Sequence, residues 1–193
     1  MEMIRLKYGN TNTLLVGGRL LVDTDYAGTL PAFYRALKAN GVRLEQITHV
    51  IATHWHPDHC GLIGALQRHG VRLILPEVQR AFVHAPDPIF DRDRLRYDPV
   101  DERLAEIIPV EDSRAYLQAI GIAGELLATP SHSADGVSVM LDSGDCIVGD
   151  LQPRALAEGY EDNAALLADW DRIMRCQPKR ILYAHWPEEW MGG

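Results

Sequence analysis

The chain has 193 residues, 47% of them hydrophobic and 24% charged, a length and balance that suit one soluble globular domain over residues 1–193 with a sizeable core. Its formal net charge of −8 argues against a general nucleic-acid partner, because phosphate contact needs a basic surface. No run approaches the ~18 apolar residues of a membrane span, and the N-terminus lacks a charged segment followed by an apolar one; the expectation is a cytoplasmic protein with no membrane partner. Cys60, Cys146 and Cys176 are odd in number and widely spaced, which suits a reduced protein rather than a disulfide scaffold.

MIRLKYG, NTLLVGG and RLLVDTD read as three short strands separated by Gly9, Asn10, Gly17 and Gly18. A helix follows, capped by Thr29 or Gly28, with Pro31 in its first turn and Leu30, Phe33, Tyr34 and Leu37 on one face. Asn40-Gly41 ends it. ITHVIAT (47–53) is a mostly apolar strand that runs into THWHPDHCG (53–61). GLIGALQRHG resumes as a helix, and VRLILP is the next strand. Residues 84–112, rich in Pro, Asp and Arg, break this rhythm. They read as a loop at the start, with short helices around 100–108. The stretch is either a solvated surface excursion or a flap over a site; as a flap it would offer Phe90 and Tyr97 to a ligand.

Ser113 reads as the N-cap of a helix RAYLQAI. ELLATP, VSVMLDS and CIVGD follow as three strands. EDNAALLADWDRIMRC places Leu166, Leu167, Trp170, Ile173 and Met174 on one helical face, and RILYAH is a final strand. Strands alternating with helices predict an α/β fold, a sheet covered by helices.

The cluster at 54–59 carries the chemistry. It lies where an apolar strand ends, the place where open α/β sheets hold ligands. Imidazole and carboxylate together suit zinc, iron or manganese. His54 and His56, two apart on an extended segment, point the same way and can grip one ion. Asp58 and His59, beyond Pro57, can face a second. Two ions need further donors, and His132, Asp150 and His185 each sit where a strand runs out. Each alone suits a turn residue, a helix cap or an edge histidine; their agreement in position carries the reading. His49, His69 and His84 lack that context. Cys60 is a small buried residue or a soft ligand, and Trp55, Tyr183 and Trp186 are packing residues or an apolar wall for substrate.

With VDTD, THWHPDH, TPSHS, Gly149-Asp150 and Ala184-His185 in this order, the chain resembles the metallo-β-lactamase-fold superfamily from LLVDTD to ILYAH. The resemblance implies a four-layer αβ/βα sandwich with a dinuclear metal site at one edge of two facing sheets. It implies His54, His56 and His132 on the first metal, Asp58, His59 and His185 on the second, and Asp150 bridging both. The ions would be divalent, zinc first, with iron or manganese compatible. Asp23 or Asp25 matches the first motif and would support the histidine loop from behind; Thr24 following Asp23 favours Asp23. Two ions about 3.5–4 Å apart can share a water and lower its pKa, and Asp58 would be the catalytic carboxylate that orients the nucleophile or takes its proton.

Asp150 speaks against a true β-lactamase, which usually lacks a bridging carboxylate there, whereas glyoxalase II, lactonases and RNase Z keep it. The short C-terminus after His185 speaks against the glutathione-binding region of glyoxalase II. Cys60-Gly61 stands where the family shows Gly-Gly, Ser131 where it shows Gly, and Tyr183-Ala184-His185 where it shows Pro-Gly-His. The expected activity is metal-dependent hydrolysis of a small-molecule ester, thioester or lactone. The alternative is a mononuclear iron sulfur dioxygenase using His54, His56, His132 and Asp150, with phosphodiesterase or β-lactamase activity further off.

Overall fold

Six strands organise the first of two units, Met1–Pro109 and Val110–Gly193, in a computed structural model that describes residues 2–157 and 163–192. The strands are β1 (Met3–Leu6), β2 (Thr13–Val16), β3 (Leu20–Val22), β4 (His49–Ile51), β5 (Arg72–Pro76) and β6 (Ala105–Ile108), and they lie side by side in chain order. Tight turns make β1, β2 and β3 antiparallel neighbours. From β3 to β6 the pairing is parallel, which requires a crossover at each step. Helix α1 (Leu30–Ala39) makes the first crossover, α2 (Pro57–Cys60) and α3 (Ile63–Arg68) the second, and α4 (Asp87–Arg92) lies in the third. β3 and β4 are buried at every residue, as strands covered on both faces are. Phe33, Leu37, Ile63, Leu66, Leu73 and Phe90 share one core.

The second unit holds β7 (Gly124–Ala128), β8 (Val137–Leu141), β9 (Asp145–Gly149), β10 (Arg180–Tyr183) and β11 (Glu189–Trp190) in the order β11-β10-β9-β8-β7, with helices α5 (Ser113–Ala119), α6 (Arg154–Ala157) and α7 (Ala164–Arg175). Only the β9–β10 step is parallel among these pairs. Leu166, Trp170, Ile173 and Ile181 form its core. Each unit is therefore α/β, as the alternation of strands and helices predicts. Among the described residues no helix is long and apolar enough to cross a membrane.

Several elements differ from expectation, each for a tertiary reason. The strand expected over 47–53 is shortened to His49–Ile51, because the amide of Thr53 donates to the Asp23 carboxylate instead of to a strand. Part of the histidine cluster is itself helical: His56 is the extended N-cap of α2. The stretch 84–112 contains α4 near its start, where a loop was expected; around 100–108 the expected short helix is a single 3-10 turn at Glu102–Leu104, and the edge strand β6 follows it. Phe90 is in the core rather than on a flap, edge-on to Tyr26 and 5.0 Å from Tyr97. Ser113 is the first residue of α5, with Asp112 at the cap. Its hydroxyl accepts the Leu126 amide at 2.9 Å. Thr29 does cap α1 in position, but its hydroxyl donates to Tyr26. On α7 Leu167 faces solvent and Asp169 is buried. Residues 161–162 of that expected helix lie outside the described residues. β11 was not expected from sequence.

Gly64 in α3 offers a test of how closely the 95–100 stretch packs. A Cβ there would run into the backbone carbonyl of Asp98 and crowd that of Pro99. Gly→Ala in a helix normally gains about 1 kcal/mol. Here Gly64→Ala is expected to lose about 1–3 kcal/mol through overpacking, read as a lower midpoint in thermal unfolding.

Candidate metal centre

Strands β3 and β4 run parallel with Val22 opposite Ile51, so Asp23 and Thr53 leave the sheet side by side. Asp23 has a left-handed backbone, φ +58, a conformation that Asp tolerates better than most residues. Its carboxylate is buried. Oδ1 accepts the Thr53 amide at 2.6 Å, and the Thr53 hydroxyl lies 3.0 Å from Oδ1 and 2.9 Å from Oδ2. Oδ2 also stands 3.0 Å from Nδ1 of His59. The Thr53 hydroxyl has one proton, and that proton goes to Asp23. Its oxygen then accepts from Nδ1 of His54, 3.2 Å away. One carboxylate thereby biases two rings towards a proton on Nδ1 and a lone pair on Nε2, the form a metal ligand needs.

The rest of VDTD supports the backbone of the same loop. The Thr24 amide donates to the His59 carbonyl at 2.9 Å, and the Thr24 hydroxyl accepts the Leu62 amide at 3.3 Å. Asp25 turns away, accepting from the amides of Thr11 (3.0 Å) and Tyr26 (2.6 Å). The Thr11 hydroxyl in turn donates to the Asp58 carbonyl at 2.7 Å. Of the two acids, Asp23 is the one that faces the histidines.

The rings converge. The centroid of His54 is 4.4 Å from that of His56 and 4.1 Å from that of His59. Ligand atoms of His54 and His56 come within 4.8 Å of each other, as do those of Asp58 and His59. Protonating such a group would set like charges together, whereas neutral rings can share a cation.

The second unit gathers its own donors at one end of its sheet. Asp150 follows β9 and His185 follows β10, and the two strands are parallel, with the Ala184 amide on the Gly149 carbonyl at 2.9 Å. His185 Nε2 lies 3.4 Å from Oδ1 of Asp150. His132, on the β7–β8 connection, puts Nε2 3.7 Å from Oδ2 of the same carboxylate. Asp150 thus stands between two imidazoles, one at each oxygen. A cleft of about 230 Å³ opens beside His132, lined also by Ser131, Gln152, Asn163, Ala165 and Leu166.

The neighbouring residues sort differently from expectation. Trp55 is buried in the core of the first unit, and its indole donates to Gln79 at 3.3 Å, so it forms no pocket wall. Gln79, fully buried, returns its amide hydrogens to the carbonyls of Ala52 (3.0 Å) and Thr53 (3.1 Å). It pins the strand end that presents His54, and no pattern in the sequence marked it. Thr53, directly before the H-x-H pair, was the more legible of the two. The Cys60 thiol donates to the His56 carbonyl at 3.2 Å. Tyr183 is buried, and its hydroxyl donates to Glu189 at 3.0 Å; burial first, then that acid, raise its pKa well above the usual tyrosine value. Trp186 is exposed. His49 lies buried in β4, where burial lowers its pKa. His69 meets Tyr34, and His84 meets Asp87, at the surface.

Comparison with known proteins places the chain in a family. The family described as the Metallo-beta-lactamase superfamily matches residues 6–185. A Caenorhabditis elegans protein named beta-lactamase-like protein 2 homolog is 29% identical over 92% of this chain and 56% of its own length. Thioesterase pkgB of Emericella nidulans is 29% identical over 78% of this chain and 37% of its own. The chain spans between about a quarter and just over half of the length of the curated relatives it matches. Among solved structures, TTHA1623 in a di-iron-bound form superposes with a TM-score of 0.69 at 18% identity, covering 97% of this chain and 94% of that one. At that identity the likeness is one of fold.

The Asp23–Thr53 pair is open to direct test. Thr53→Val keeps the shape but removes a hydroxyl that a buried carboxylate needs. It is expected to cost about 1–3 kcal/mol, measured by denaturant unfolding of metal-free protein, and Thr53→Ser should restore most of the loss.

Proposed function

The chain belongs to the metallo-beta-lactamase superfamily, and we propose that it is a metal-dependent hydrolase with a two-ion centre, acting on small thioesters, with esters and lactones as neighbouring substrate classes. The carrying observation is Asp23, a buried carboxylate set behind His59 directly and behind His54 through Thr53. A metal-binding imidazole needs such a partner at its far nitrogen. The donors fit the ions. Five imidazoles and two carboxylates are the nitrogen and oxygen ligands that zinc, iron and manganese accept.

In this reading His54, His56 and His132 would hold one ion, Asp58, His59 and His185 the other, and Asp150 would serve both. The ions would supply a polarised carbonyl and a water activated near neutral pH. Asp58, with its side chain about one-third exposed, would orient the attacking water and accept its proton. Among the described residues, the lining of the cleft beside His132 carries no acidic, lysine or arginine side chain, which is compatible with an uncharged acyl group. A thioester is favoured over the other esters by the relative named a thioesterase. Iron is a second reading of the metal, favoured by the di-iron form of the similar solved chain.

Metal analysis by mass spectrometry, joined to thiol release from a panel of short acyl thioesters, tests the reading. The expected result is two zinc or iron ions per chain, thioester hydrolysis lost on chelation, and at least ~100-fold lower kcat/KM in Asp58→Asn and His132→Ala. Undiminished hydrolysis in both variants would sink the assignment. A single iron with oxygen consumption on a persulfide would move the chain to sulfur dioxygenase chemistry.

A further inference from the structure

Helix α7 carries a buried acid that the proposed chemistry does not use. Asp169 is 2% exposed on a helix whose other buried residues are Leu166, Trp170 and Ile173. Its Oδ2 accepts the backbone amide of Ser131 at 2.8 Å. Its Oδ1 accepts from Arg172, one turn further on, at 3.0 Å. The same guanidinium nitrogen donates to the carbonyl of Ala128, the last residue of β7. The helix is tied in this way to both ends of the stretch 128–131, which leads directly into His132.

The loop around His132 is otherwise closed by itself. The Thr129 amide donates to the Gly136 carbonyl at 2.8 Å, the Gly136 amide donates to the Ser133 carbonyl at 2.7 Å, and the hydroxyls of Thr129 and Ser138 meet at 2.9 Å. His132 itself is exposed, so core packing contributes little to its orientation, and the backbone at Ser131 sets where its side chain starts towards Asp150. A buried carboxylate is costly unless paired, and an apolar residue at 169 would extend the helix's buried face without that cost. What the acid adds is a charged acceptor for one backbone amide, immediately before a proposed metal ligand.

We infer that Asp169, held by Arg172, is a positioning residue for His132: it fixes the backbone at Ser131 so that the imidazole meets its ion in one orientation. The inference rests on His132 being a ligand, as proposed above. Outer partners of this kind tune metal affinity through the ligand they hold.

The test is a cobalt titration of the full-length metal-free chain, followed by its visible absorption bands and competed against a chelator. Wild type should bind two ions in two steps. Asp169→Ala should weaken one step by about 10–100-fold and leave the other within about threefold, because His132 serves one ion more than the other. Asp169→Asn keeps an acceptor for Ser131 and should recover most of the loss. Ile173→Ala truncates the core on the same helix. It should lower the thermal midpoint and leave both steps unchanged. If Asp169→Ala does not fold, Asp169→Leu fills the space without an acceptor and carries the same expectation. Two wild-type steps in the acceptor-free variant, equal weakening of both steps, or the same selective loss in Ile173→Ala would overturn the inference alone. A wild-type chain that takes up no metal overturns the two-ion reading, and this inference with it.

Discussion

Taking the Asp23 carboxylate out of water is unfavourable unless donors replace the water. The fold supplies them from the end of the neighbouring strand and the helix after it: the amide and hydroxyl of Thr53, and the ring of His59 in α2. The left-handed backbone at Asp23 turns the side chain towards β4. Parallel pairing of β3 and β4, in register at Val22 and Ile51, sets the spacing. The histidine cluster is thereby held from behind, and the Thr24 amide takes the His59 carbonyl. A one-residue slip between β3 and β4 would dissolve all of these contacts together.

The second unit solves the same problem with different parts. Its donors also stand where strands end, but Asp150 and His185 are aligned by parallel pairing of β9 and β10, and His132 sits on a loop. For Asp150 and His185 the ladder stops within a residue or two of the donor and fixes its position. A loop needs a side chain to hold it, and α7 provides Asp169 and Arg172. Gln79 does for the Ala52–Thr53 carbonyls what Asp169 does for the Ser131 amide. Both are buried polar groups whose hydrogen bonds make them specific where an apolar residue would only fill space.

Much of this was legible in the chain because it is local. H-x-H-x-D-H needs no partner to be noticed, since its spacing already states that an extended pair is followed by a turn. His132, Asp150 and His185 could be singled out because each follows an apolar run. Most strands of both sheets, β6 and β11 excepted, and much of the faces of α1 and α7 follow from periodicity, which reports burial along a single element. Periodicity also marked its own limit. It assigned Leu167 to the buried face of α7, where the structure buries Asp169, because a helical wheel ranks residues by apolarity and cannot see an amide waiting on another element. β6 escaped for the related reason that Ala105–Ile108 becomes a strand by pairing with β5, whose partner residues lie just over thirty positions earlier, amid Pro, Asp and Arg that locally favour turns.

The amino-acid sequence by itself determined the candidate donor types, their order, and their places at the ends of apolar strands, and with these the family. Those are properties of short segments, set by residue identity and by the twofold and 3.6-fold repeats of strand and helix. The tertiary structure decided which acid stands behind the histidines, which nitrogen of His54 and His59 is held back, that Trp55 and Phe90 belong to the core, and that Gln79 and Asp169 support loops far away in the chain. Those depend on strand register and on hydrogen bonds between residues tens of positions apart. Such pairings exist only once the chain has folded, because no local preference specifies the partner.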